Sequence, residues 1–207
     1  MSEREIPEHV VRYVDEDGHE MAVVELRRTY SGDIDDVWEA LTDPERLPRW
    51  FAPVRGDLRS GGRYQVEGNA AGTILTCDPP NSFTATWEFA GAVSWIAVDL
   101  AADGDRTVVR LTHRQRTDND HWRTFGPSAV GLGWDLSFLG LGLHLDSGAA
   151  VDSEAEMAWS VSAEGIAWLT RCGDAWSAAD VSGGCDEETA RQRAAASIGF
   201  FTTAPES

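Results

Sequence analysis

Residues 82–89 read SFTATWEF and alternate without a break: Phe83, Ala85, Trp87 and Phe89 fall on one side of an extended chain, Thr84, Thr86 and Glu88 on the other. A strand divided this way turns one face to a core and the other to water, the signature of an antiparallel sheet wetted on one side. The flanking segments repeat the pattern. GTILTCD (72–78) stops at Pro79-Pro80, and before it GRYQVEG (62–68) sets Tyr64 and Val66 together. On the other flank come SWIAVDL (94–100) and RTVVRLTHR (106–114), joined by the turn AADGD. MAVVELRRTY (21–30) predicts a further strand with Val24, Leu26, Arg28 and Tyr30 on one face, and residues 1–19 read as a loose arm or a short edge strand.

Helical spacing fills the gaps. In DIDDVWEALTDPERLPRWF (33–51), Asp33 is placed to cap a helix whose Ile34, Val37, Trp38 and Leu41 share a face. Pro44 ends it, because the residue before a proline is pushed out of the α region. A short helical turn over 44–50 then runs into Trp50 and Phe51, two bulky aromatics that must either cover something or hold something. Gly126-Pro127 opens a longer helix, SAVGLGWDLSFLGLGLHL, with proline at its first position. Val130, Trp134, Phe138, Leu141 and Leu145 form one stripe, and Leu132, Leu136, Leu139 and Leu143 form another. A helix apolar nearly all round is buried on both faces. Its glycines, 131, 133, 140 and 142, each cost about 1 kcal/mol relative to alanine and therefore mark close backbone contacts. Two further helices are expected in SAEGIAWLTRCGDAWSAAD (162–180), through Ile166, Leu169, Gly173 and Trp176, and in DEETARQRAAASIGFF (186–201), capped by Asp186.

Composition limits the partners. The 207 residues carry 35 acidic and 17 basic side chains, a formal net charge of −18, and every basic residue is arginine. That balance disfavours nucleic acid and anionic membrane surfaces, and leaves neutral or cationic small ligands open. Cys77, Cys172 and Cys185 have no CxxC spacing and read as reduced thiols. The N-terminal stretch lacks the basic and apolar blocks of a signal peptide, and no apolar run approaches a membrane span. A cytoplasmic protein is expected.

With this element order, specific strings become recognisable. RRTYSGDIDDVWEALTDPERLPRWFAP, GDLRSGGRYQVEG, GTILTCDPPNSFTATWEF and GWDLSFLGLGL resemble the SRPBCC (START-like, helix-grip) superfamily. Within it they look most like bacterial proteins related to the C-terminal domain of the activator of heat-shock-protein-ninety ATPase. The resemblance runs from about Val23 to Leu145. It implies an α+β helix-grip (START/Bet v-like) fold, a curved antiparallel sheet around a long C-terminal helix with an elongated cavity between them. Trp50 and Phe51 would then plug one end of the sheet or line the entrance, or else simply pack under the helix pair. The expected organisation is a helix-grip domain over 1–147, with 1–19 a loose arm, and a helical C-terminal extension over 148–207 packed on the same domain.

Strand parity selects the helix-facing side chains: Tyr64, Val66, Phe83, Trp87, Phe89, Ile96, Val98, Leu111 and His113, with Trp134 and Phe138 opposite. They read as the wall of a pocket for a flat or greasy molecule, or as ordinary core. Arg28 and His113 are polar residues of inward parity. Arg28 needs a partner; Asp135 in the apolar helix is one candidate, and Glu88 another if the parity slips. No catalytic or metal-binding template fits: the five histidines make no HExxH, and GxSxG and P-loop motifs are absent. No cofactor is implied. The leading expectation is binding of a small apolar molecule. A cyclase or hydratase with His113 or Tyr64 as acid/base is the second, and a module for a protein partner, possible also as a homodimer, is the third.

Overall fold

A computed structural model describes residues 4–16 and 18–203. Residues 1–3 and 17 of the expected N-terminal arm, and 204–207 of the extension, lie outside the described residues. Eight strands form one antiparallel sheet: β1 (Glu8–Glu16), β2 (His19–Ser31), β3 (Val54–Gly56), β4 (Arg63–Val66), β5 (Ala71–Asp78), β6 (Ser82–Phe89), β7 (Ala92–Asp103) and β8 (Arg106–Arg116). Their spatial order is β1-β2-β8-β7-β6-β5-β4-β3. The helices are α1 (Ile34–Thr42), α2 (Asp120–Ser147), α3 (Ser153–Ser160), α4 (Ala163–Ser182) and α5 (Glu187–Thr202), with a 3-10 turn at Leu47–Arg49. This is the α+β, helix-grip-like arrangement the sequence implies: an antiparallel sheet packed against a long helix, with further helices at the C-terminus.

The caps explain several boundaries. Asp33 accepts from the Asp36 amide at the start of α1, Ser162 from Gly165 at the start of α4, and Asp186 from Thr189 at the start of α5. Glu8–Glu16 takes the edge-strand alternative rather than the loose one. Two elements were not expected, β3 and α3. The long helix also has a leading turn before Gly126, where the backbone breaks with φ 55° and ψ −146°. Only glycine holds such a conformation without strain. In α4 the buried stripe is Gly165, Trp168, Leu169, Cys172, Gly173 and Trp176, whereas Ile166, expected on it, is exposed.

The chain divides into two compact units. The first comprises residues 4–26, 116–136 and 152–203: β1, the first part of β2, the first part of α2, and α3 to α5. Here α4 packs on β1 and α5 on α4. Trp168 and Trp176 are fully buried, and a Cβ at Gly131 would lie 2.3 Å from the Trp176 ring, so glycine is what lets α2 and α4 approach. The second comprises 27–115 and 137–151: the rest of the sheet, α1, the 3-10 turn and the last turns of α2. There Tyr30 donates its hydroxyl to the Phe138 carbonyl at 2.9 Å, tying β2 to α2. A Cβ at Gly140 would lie 2.8 Å from the Trp50 carbonyl oxygen. At Gly133 an added Cβ would sit 3.8 Å from Phe201, an ordinary contact distance. Among the described residues no helix is long and apolar enough to cross a membrane.

Candidate functional site

The strand registers of the second unit build one continuous wall. Phe83 stands opposite Val98, Ala85 opposite Ile96 and Trp87 opposite Ser94; Val98 in turn faces Leu111, and Ile96 faces His113. Directly opposed residues share a face, so these side chains line the same side of the sheet. Val66, Ala85, Ile96, Val98 and Leu111 are buried. Phe83 and Trp87 are only half-buried, as are Trp50 and Phe51. Trp38 of α1 meets Phe83 edge-on at 6.1 Å, which places α1 over that end of the wall. Phe138 is buried on α2, and Trp134 is half-buried on the part of α2 that belongs to the first unit. Phe89, expected on the wall, is 54% exposed. It is the last residue of β6, paired with Ala92 across the hairpin turn at Ala90-Gly91. Its parity is inward, but it stands at the tip of the hairpin.

The opening aromatics are fixed rather than loose. Trp50 donates its indole N–H to the Ala40 carbonyl at 2.9 Å, and its ring leans on Phe51 at 5.5 Å. Arg49 accepts from the Val151 amide at 2.7 Å, so the 3-10 turn ties α1 to the chain just past α2.

The polar residues on the wall are satisfied from within. The Ser94 hydroxyl donates to the Trp87 carbonyl at 3.0 Å and therefore accepts from His113 Nε2 at 2.8 Å. Burial pushes the His113 pKa down to about 3, so the ring is neutral at neutral pH. Tyr64 lies over Gly72, where a Cβ would sit 2.7 Å from the ring. That clearance lets its hydroxyl reach the Thr86 carbonyl at 2.6 Å, and burial raises its pKa. Glu88 points to the opposite face and pairs with Arg63 at 2.9 Å.

Arg28 is different. Its guanidinium lies over the Tyr30 ring, 5.3 Å from the centroid, and Nη1 reaches only the Phe138 carbonyl at 3.5 Å. Nε is buried without a hydrogen bond. Asp135 is not its partner. In the first unit, Asp135 Oδ1 is 2.7 Å from His9 Nε2, and Oδ2 accepts from Trp176 Nε1 at 2.8 Å. His9 also stacks on Trp176 at 4.1 Å, so one aspartate ties β1, α2 and α4 together.

The first unit also holds an open cavity of about 670 Å³ that sequence reasoning did not find. Tyr13, Met21, Trp122, Cys185 and Arg193 are among its walls. Arg193 lies within 3.5 Å of buried Asp180, which also accepts from the Tyr13 hydroxyl. The lining comes from four separated stretches of chain, and no local pattern joins them.

Comparison with known proteins places the chain. Solved structures similar to it include CalU16 from Micromonospora echinospora. Its solution structure matches with TM-score 0.72 and 29% identity, covering 89% of this chain and 100% of that one. Its crystal structure gives TM-score 0.62 and 30% identity, covering 81% and 99%. PFC0360w from Plasmodium falciparum, described as an HSP90 activator, shares the fold at TM-score 0.52 and 20% identity, covering 61% of this chain and 96% of that one. No curated protein matches in sequence. Residues 32–145 match the family described as Activator of Hsp90 ATPase homolog 1-like protein, and the chain belongs to that family.

Proposed function

We propose that the second unit binds a small apolar or aromatic molecule between its sheet and the last turns of α2. The observation that carries this reading is an aromatic wall left incompletely covered: Trp50, Phe51, Phe83 and Trp87 keep part of their surface while Val66, Ile96, Val98 and Leu111 beside them are buried. Apolar surface left open in this way is stabilised by about 25 cal/mol for each Å² that a ligand removes from water. The polar groups on the wall favour binding over acid–base chemistry. His113 is held neutral and occupied by Ser94, and the Tyr64 hydroxyl is committed to a backbone carbonyl.

Thermal denaturation against a panel of flat apolar compounds tests the proposal. A ligand present at a hundred times its Kd stabilises the folded chain by about 2.7 kcal/mol, and Trp87→Ala is expected to abolish the gain. Stabilisation that survives Trp87→Ala and Phe83→Ala together would place binding elsewhere and overturn the assignment.

A further inference from the structure

Arg28 is a charged group on the helix-bearing face that the described residues leave without a counter-charge. It shares strand parity with Leu26 and Tyr30, both buried. Its contacts are the Tyr30 ring and one distant carbonyl, Phe138 O at 3.5 Å, which already accepts the Tyr30 hydroxyl at 2.9 Å. Nε is buried and makes no hydrogen bond. Among the described residues no carboxylate pairs with this guanidinium: Asp135 is held by His9 and Trp176, and Glu88 by Arg63. The chain has 35 acidic residues to draw on. The helix position beside Arg28 is instead Gly142, where a Cβ would lie 3.3 Å from Nη2. A cation partly withdrawn from water without a counter-charge is costly, and it is retained only where something supplies that charge.

We infer that Arg28 anchors an anionic oxygen, such as a carboxylate or an ionised phenol, on an otherwise apolar aromatic ligand. The inference rests on the binding function proposed above and names its ligand class: an organic acid rather than a neutral hydrocarbon. The guanidinium fork offers parallel N–H donors to such a group, and its partial burial strengthens the contact. The net charge of −18 opposes an anion at Arg28 only weakly, because exposed charges more than about 8 Å away are largely screened at physiological salt.

The test uses matched fluorescent probes on the full chain. 1-Anilinonaphthalene-8-sulfonate carries a fixed negative charge, and N-phenyl-1-naphthylamine is the same ring system without it. The anionic probe is expected to bind about tenfold tighter or more. Arg28→Gln is expected to remove that preference while changing the neutral probe's affinity less than about twofold. A measurement on the unaltered protein guards against a variant that folds poorly: 1-naphthoic acid should displace the neutral probe at concentrations about tenfold below those 1-naphthamide requires. If both probes bind with equal affinity, or the acid and the amide compete equally, Arg28 is not an anchor although the binding function stands. If neither probe binds, the binding function fails and the inference falls with it.

Discussion

Replacing Asp135 tests how the first unit is held together. The carboxyl accepts from Trp176 Nε1 at 2.8 Å and pairs with His9 Nε2 at 2.7 Å; the Asp135 and His9 side chains are 0% and 2% exposed. Asp135→Ala strands two buried polar groups, each worth about 1–3 kcal/mol when orphaned, so a loss of roughly 3–5 kcal/mol is expected. At about 2–4 °C per kcal/mol for a chain of this size, Tm falls by roughly 6–20 °C. Asp135→Asn keeps one acceptor. The Trp176 N–H, which cannot change its role, takes that oxygen, while His9 can shift its proton to Nδ1, a buried atom with no partner. A smaller loss, about 1–2 kcal/mol, is expected. Urea denaturation of single and double variants separates the candidate partners. The His9–Asp135 cycle should show a coupling above about 1 kcal/mol, and the Arg28–Asp135 cycle less than about 0.5 kcal/mol. The reverse ranking would refute the pairing and would return Asp135 to Arg28.

Other expectations follow from the second unit. His113 titrates near 3 when folded and near 6.5 when unfolded, so below pH 6.5 the unfolded chain binds the proton that the folded chain refuses. Stability on this account is full above pH 6.5 and falls by about 1.4 kcal/mol per pH unit down to about pH 3; urea denaturation at several pH values should show that slope, and His113→Gln should lack it. Tyr64→Phe loses the bond to Thr86 O and is expected to cost about 1 kcal/mol, a drop of about 2–4 °C in Tm. Gly72→Ala should cost more by the same assay, because its Cβ would lie 2.0 Å from the Thr86 carbonyl oxygen. Gly140→Ala should loosen the 3-10 turn from α2 and shift the near-ultraviolet circular dichroism of Trp50, whose carbonyl the new methyl would press.

Much of the fold was legible because its signals are local. Alternation in SFTATWEF, the caps Asp33 and Asp186, and Pro127 each act within a few residues, and each marks an element of the structure. The misses are elements without a local signal. β3 has three residues and exists through its pairing with β4, and α3 carries no buried residue and hence no apolar stripe. The helix glycines announced close approach at 131, 140 and 142 without naming what approaches. Asp135 was a candidate partner for Arg28, but its partner His9 lies 126 residues away, on a strand that was only one of two alternatives for residues 1–19. Phe89 shows the limit of parity, which fixes the direction of a side chain but not how far along the strand the cover extends.

The central claim, a binding site on the wall of the second unit, is tested most directly by native mass spectrometry of the freshly purified chain, followed by denaturing extraction. The account predicts one apolar, aromatic small molecule per chain, released on denaturation and lost from the Trp87→Ala variant. A protein at its bare sequence mass that gains no thermal stability from any apolar compound in a broad panel would contradict it.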